Sequence, residues 1–500
     1  GSITKQFTAA AVLKLEMEGK LKVTDPLSKH FEGVPEDKRG ITLHQLLTHS
    51  AGLVDILGDD YEEMPRDRLV REALASKLLW PSGTEYRYSN LGYSLLAIVV
   101  EKVSGQPYEA FLQERLLKPA GLTTTGYRGP KWDLAKLAHG YSRRGPWGTP
   151  LDHAWASDGP WWNLRGNGGI LSTVGELYKW HRALEGEAIL SKAAKAKYQA
   201  PHVPEGGGTH YGYGWSIAKT SRGTTLVTHN GGNGIFAADF HRYVDEGVVI
   251  AIGSNRSDFS SIATVPSIAQ LVFGSDVQMP PEPVKMETKA LDRYLGYYAL
   301  PSGGRLVVSA APPSTGDPRY PGVTIVAEGM DAFFLLTGGT RDPEKTRETD
   351  KRLLAALEEG RKGNFASVGK LFGIPAAEAE AGMRDYVGPR EERHGKLKGF
   401  EPAGTVTVGE RTSSYVRFLF EKGSVLTEFV WRTPEIVGNV RPVEEPLSLR
   451  FVPRSPTAFA SYDPRSRRVS EIGFEAAEGD AVKALTVKTG TGEVKAKRME

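Results

Sequence analysis

Apolar residues recur at helical spacing in the first third of the chain and at strand spacing further on. Phe7, Ala11 and Leu15 follow one another at i+4, which predicts a helix over residues 6–20 with Gly19 as its stop. Residues 41–53 begin as a short capped helix and end near Gly52. A turn at 81–84 and a short exposed loop over 86–90 lead into a helix over 91–103. Leu95, Leu96, Ile98, Val99 and Val103 make that helix apolar on most sides, so it should be buried. Gly105 and Pro107 end it, and another helix follows over 108–117. Residues 127–167, rich in Gly, Pro and Trp, lack a clean period and read as loops rimming a cleft. Trp155, Trp161 and Trp162 there are either walls of the cleft or packing aromatics. Thr173 with Glu176 fits a capping box, ahead of a helix whose buried face carries Leu177, Trp180 and Leu184.

Antiparallel strands are expected over 211–217, 226–229, 234–240 and 248–252, the last apolar throughout, as a strand covered on both faces should be. A helix over 259–273 would pack on them. Beyond a proline-rich linker at 279–288 the character changes. Residues 295–308 and 323–336 look like hairpin strands, 350–388 are helical and charged, and 415–431 and 447–497 return to strands.

The chain has 500 residues, enough for two to four domains, and its 40% hydrophobic and 25% charged content is that of an ordinary globular protein. A formal net charge of +3 gives no reason to expect nucleic acid or a charged membrane surface as partner. There is no cysteine, which excludes disulfides, thiolate metal sites and a cysteine nucleophile. No apolar run is long enough to span a bilayer, no metal-ligand spacing or nucleotide loop stands out, and no cofactor is called for.

The chemistry concentrates at the start. Ser2 and Lys5 lie three apart, nearly one helical turn, so both side chains face the same way. A serine hydroxyl needs a base to become a nucleophile, and a lysine serves only once burial has pulled down its pKa. The alanine run after Lys5 suits close packing and hence desolvation. By itself Ser-x-x-Lys recurs about twice by chance in a chain this long. Two further signals stand beside it: Tyr88-Ser89-Asn90 before the second buried helix, and His229-Asn230-Gly231 at the end of a strand. His44 and His49, five apart, read as a turn histidine and one hydrogen-bonded to backbone rather than as ligands.

In this order and context the three motifs resemble the serine β-lactamase and penicillin-binding-protein superfamily, nearest its class C β-lactamases, D-alanyl-D-alanine carboxypeptidases and family VIII carboxylesterases. The phrases over 46–53, 88–93 and 168–173 resemble it as well, and the resemblance covers about residues 1–275. It implies an α+β fold, an antiparallel sheet flanked by helices. It implies that Ser2 forms an acyl-enzyme, that Lys5 and Tyr88 share the proton work, and that Asn90 orients Lys5 and substrate. Gly231 closes the third motif, and the backbone N–H groups of Ser2 and Gly232 would form the oxyanion hole. His229 stands where many β-lactamases carry lysine, and a neutral histidine holds a substrate carboxylate less firmly. That tilts the expectation toward esters or peptide-like amides as small-molecule substrates. β-lactamase or D-Ala-D-Ala carboxypeptidase action is the alternative, and a catalytically silent binding or regulatory homologue is another.

Residues 289–340 and 446–500 resemble the lipocalin-like β domain appended to several such hydrolases, with 341–442 as an α+β insertion. The hydrolase domain is then expected over 1–278. The resemblance also implies a helix and two sheet strands before the serine. None precedes Gly1 in this sequence, so the sheet is expected to lack an edge: either the chain is a truncated or partial one, or a separate piece supplies those elements, or, as a third reading, the C-terminal strands fill the gap in a permuted arrangement. Relatives of this kind suggest a secreted or periplasmic setting.

Overall fold

Thr4–Met17 forms the helix that the chain's apolar pattern predicts, and it is buried from Thr4 to Leu13. Ala9, Ala10 and Ala11 have no exposed area, and such small residues let neighbouring elements approach closely. Phe7 meets Trp180 with ring centroids 4.7 Å apart. A helix enclosed on nearly all sides is a core element, and here it packs against the second buried helix, Asn90–Ser104. Gly19, at φ +69°, ends the first helix, with the Lys20 N–H reaching back to the Leu15 carbonyl.

The computed structural model describes the chain apart from residues 130, 143–144, 258, 260, 275–281, 312–320, 340–342, 409–410, 444, 464–467, 477–481, 490–491 and 500. The chain divides into two units, Gly1–Val277 and Gln278–Glu500. Part of the expected linker, residues 279–281, lies outside the described residues.

The first unit carries a six-stranded antiparallel meander. Its strands run in sequence order: Val203–Gly206, Thr209–Tyr211, Ser216–Lys219, Thr225–Gly232, Ala237–Tyr243 and Val248–Ser254. The helix Ser261–Val272 packs on the last two strands, with Val265 and Ala269 against Tyr243 and Ile250. The expected single strand over 211–217 is two strands. Residues 212–215 turn between them because Gly214, at φ +76°, sits directly on the Lys5 carbonyl, where a Cβ would come within 2.7 Å of the oxygen. The strand Val248–Ser254 is mostly half-buried, with Ile250 its one buried residue, not covered on both faces. Nor is the 86–90 loop exposed: Ser89 is buried and its neighbours from Tyr86 to Asn90 half-buried.

Thr173 accepts from the Glu176 N–H at 3.2 Å, but only half of the capping box forms. The Glu176 carboxylate instead accepts from the Thr124 N–H at 2.9 Å and from Lys179 at 2.7 Å. The loop-rich stretch before it contains a short hairpin, Gly140–Ser142 with Gly145–Gly148. Trp162 is buried in the main core, and Trp155 and Trp161 pack against it.

In the second unit eight strands close into an antiparallel barrel. They are Gly296–Ala299, Arg305–Ala310, Val323–Glu328, Ser448–Pro453, Ala458–Asp463, Arg468–Ala476, Val482–Thr489 and Gly492–Arg498. The last pairs back with the first, Lys497 opposite Ala299. Burial alternates along Val323–Glu328, and Tyr298, Leu306, Ile325, Phe451, Phe459 and Leu485 fill the barrel's core. Residues 329–336 are not strand, as the apolar run suggested: Met330–Thr337 is a helix that seats Phe333 and Phe334 in that same core. Between the third and fourth barrel strands the chain builds the helices Pro343–Arg361, Ala366–Phe372 and Ala376–His394. They cover a four-stranded sheet whose first strand, Leu397–Val408, gave no strand signal. Leu353, Leu357, Phe418, Phe429 and Trp431 form a separate core there. The fold class is thus the expected one: a helix-flanked antiparallel sheet followed by a mainly β region that carries an α+β insertion.

Candidate active site

Ser2 lies one turn ahead of Lys5, in the turn that opens the first helix. The Lys5 Nζ donates to Ser2 Oγ at 3.1 Å, to Asn90 Oδ1 at 2.7 Å and to the Asn167 carbonyl at 2.9 Å. Its side chain has no exposed area. Burial drives the ammonium down to about 7, although the carboxylates of Asp55 and Asp60 pull the other way. An amine so poised is neutral in a large fraction of molecules at physiological pH.

Tyr88 closes the other side. Its hydroxyl shares a hydrogen bond with Ser2, and its ring lies 4.8 Å from the Lys5 Nζ. Burial pushes its phenol well above the ordinary value, outweighing the Ser2 hydrogen bond, so at neutral pH it carries its proton. Ser89 caps the helix Asn90–Ser104, accepting from the Gly92 N–H and donating to the Val54 carbonyl. Asp55 fixes Asn90 by accepting from its backbone N–H at 3.1 Å and its Nδ2 at 2.9 Å. That leaves Asn90 Oδ1 directed at the lysine.

The strand Thr225–Gly232 brings in the third motif. Gly231 and Gly232 lie flat against the backbone of Gly1 and Ser2: a Cβ on Gly231 would come within 2.6 Å of the Ser2 N. His229, two residues before Gly231 on the same strand face, is buried, with its ring centroid 6.3 Å from that of Tyr88. Its Nδ1 bonds the Asn230 carbonyl at 2.6 Å and its Nε2 bonds the Tyr211 hydroxyl at 2.9 Å. A carbonyl only accepts, so Nδ1 carries the proton and Nε2 takes one from Tyr211. Burial, helped by Lys5, pushes this histidine down to about 3, so it is neutral.

Ser2, Lys5, Tyr88 and Asn90 are therefore gathered around the Lys5 amine, Gly231 and Gly232 adjoin Gly1 and Ser2, and the His229 ring lies 6.3 Å from that of Tyr88 with both nitrogens engaged. Sequence reasoning missed Asn167, Asp55 and Tyr211. Asn167 acts through its backbone carbonyl, while its side chain is held by Ser94 Oγ at 2.9 Å and the Asn163 carbonyl at 2.7 Å. A backbone acceptor leaves no mark in residue type; only its place beside the Gly168-Gly169 phrase hinted at it. Asp55 follows Gly52-Leu53 by two residues and could have been found the same way. Among the described residues no group of three or more His, Cys, Asp or Glu is arranged to hold a metal ion. No helix among them is long and apolar enough to cross a membrane.

A serine–lysine pair at the start of a buried helix and set against an antiparallel sheet, in this fold, is the architecture of the serine β-lactamase and penicillin-binding-protein superfamily. The chain belongs to the beta-lactamase family, whose profile matches residues 1–272. It is 28% identical over 331 residues to penicillin-binding protein 4* of Bacillus subtilis (strain 168), covering 60% of this chain and 72% of that one. Over 226 residues it is 30% identical to PbpX of the same strain, covering 44% of this chain and 54% of that one. Among solved structures it is similar to the octameric penicillin-binding protein homologue from Pyrococcus abyssi. The TM-score is 0.51 at 22% identity, over 90% of this chain and 87% of that one, a likeness of fold.

Proposed function

We propose that the chain is a metal-independent serine hydrolase that acts through an acyl-enzyme on carboxylic esters or peptide-like amides. The observation that carries this is the buried Lys5 amine, drawn down to about 7 and 3.1 Å from Ser2 Oγ. Neutral Lys5 takes the Ser2 proton as Oγ attacks the carbonyl carbon. Tyr88, a protonated phenol hydrogen-bonded to Ser2, gives its proton to the leaving group and is recharged from Lys5. Water then hydrolyses the ester by the reverse relay. Asn90 orients the lysine, and the N–H groups of Ser2 and Gly232 stabilise the oxyanion. His229 is neutral and fully bonded within the protein, so it offers no cation to a substrate carboxylate. That favours uncharged esters and amides over β-lactams. The name of the Bacillus subtilis relative makes penicillin a natural comparison substrate, expected to acylate slowly here.

The pH profile of acylation tests this. The rate is expected to rise with pH and reach half its maximum near 7, where Lys5 loses its proton. Tyr88→Phe should lower the plateau by about a hundredfold or more and leave the midpoint in place. A rate that is flat through pH 7 would exclude Lys5 as the base.

Gly231→Ala is expected to slow acylation about a hundredfold, because its methyl group meets backbone atoms of Gly1 and Ser2 that cannot yield cheaply. Single-turnover kinetics would show it; an unchanged rate would mean that the two backbones do not meet during the reaction.

A further inference from the structure

We propose that His49 is a positioning residue for this site: it holds Tyr88 at the Ser2 hydroxyl by gripping residues 87, 88 and 89 at three separate points. Its carbonyl accepts from the Arg87 N–H at 2.8 Å. Its Nδ1 accepts from the Ser89 N–H at 3.0 Å. Its ring lies on that of Tyr88 with centroids 4.2 Å apart and the planes tilted by 35°. The residues before and after Tyr88 and the tyrosine ring itself are thus contacted by one side chain and its own backbone.

The backbone of His49 carries the cost of this arrangement. At φ +57° it is the one non-glycine residue with positive φ among the described residues. The left-handed conformation is unfavourable for an L-residue and persists where surrounding contacts over-determine it. Here it turns the carbonyl and the ring toward the same segment. The protonation state is dictated too. The Ser89 N–H can only donate, so Nδ1 is bare and the ring proton sits on Nε2. Nε2 has no hydrogen-bond partner among the described residues and lies within a cage of tyrosines, with Tyr211 and Tyr93 centroids 4.5 and 5.1 Å from the ring. Burial, reinforced by Lys5, keeps the imidazole neutral, the only form in which Nδ1 can accept.

This proposal rests on the reading of Tyr88 as the proton-transfer group, so Tyr88→Phe is measured beside it. The experiment is the kinetics of covalent labelling by a serine-directed phosphonate, followed by intact mass. It yields the maximal labelling rate and the concentration for half-maximal rate separately. His49→Ala removes both ring and acceptor. Its maximal rate is expected to fall about thirtyfold while the half-saturating concentration moves less than about threefold, because encounter is unaffected and geometry is lost. His49→Asn keeps an acceptor at the same branch point and tolerates the left-handed backbone. It should regain at least about fivefold over His49→Ala, a rescue that a mere loss of packing would not allow. Both variants are compared at matched fold by circular dichroism and Tm. Parent-like maximal rates in folded variants, with Tyr88→Phe impaired, would overturn the role of His49 and leave the hydrolase reading intact. A parent-like rate in Tyr88→Phe would overturn the proton-transfer reading and this proposal with it. If His49→Ala does not fold, His49→Leu, which keeps bulk but has no acceptor, takes its place: slower labelling at an unchanged half-saturating concentration supports the role, and a parent rate refutes it.

Discussion

Incubation with a serine-directed phosphonate is expected to add one adduct to the parent chain and none to Ser2→Ala. The chain has no cysteine, so the reagent meets no competing thiol. Ser2 has what activates a serine hydroxyl: a buried amine near neutrality, 3.1 Å from the oxygen. Residual turnover of Ser2→Ala on any ester should be lower by about a thousandfold or more, since the oxyanion donors and binding contacts alone remain. An adduct that persists in Ser2→Ala would move the nucleophile elsewhere. A folded parent that takes up no adduct would instead make the domain a binding module that keeps the residues of a hydrolase.

Lys5→Met is expected to abolish labelling to a similar extent, by about a thousandfold, and to change how stability depends on pH. In the folded protein Lys5 releases its proton near pH 7, whereas in the unfolded chain it holds it to an ordinary lysine value of about 10.4. Between those limits the unfolded state binds the extra proton, so stability rises with pH. Below the folded value both states are protonated and the full burden of burying the charge is present. From pH 7.5 to 9.5 the parent should therefore gain roughly 2–3 kcal/mol relative to Lys5→Met, at about 1.4 kcal/mol per unit of pH difference. Denaturant unfolding at the two values, read by tryptophan fluorescence, which reports mainly on the first unit, measures it. Parallel stabilities for the two proteins would mean that Lys5 keeps its ordinary affinity for protons.

What could be read in advance was what residue type and period encode. The first helix and the helix Asn90–Ser104 announced themselves by apolar spacing, and Ser2, Lys5, Tyr88 and Asn90 by their chemistry at short spacings. What escaped depended on geometry that only the fold creates. The strand Leu397–Val408 opens with Gly, Glu and Pro residues that favour other structures, and its pairing with Arg411–Phe420 overrides them. Met330–Thr337 is a short apolar run that either a strand or a buried helix could use, and packing decided it. The break at Gly214 follows from the approach of Lys5, far away in sequence. In the same way the positive φ of His49 has no signature in residue type; its phrase was visible, its grip on Tyr88 was not.

The barrel has a bearing on how the second unit comes into being. Its third and fourth strands, Val323–Glu328 and Ser448–Pro453, are hydrogen-bonded neighbours, yet the whole insertion lies between them along the chain. Thermodynamically that detour is cheap, since each doubling of an enclosed loop costs only about 0.6 kcal/mol. Kinetically it is not, because non-local pairing slows the search. The insertion's own core, built from Leu353, Leu357, Phe418 and Trp431, is local enough to collapse first and bring the two ends together. The barrel would then zip shut late around an already ordered intruder, and during synthesis its first three strands must wait, with their edge unpaired, until the last strands leave the ribosome.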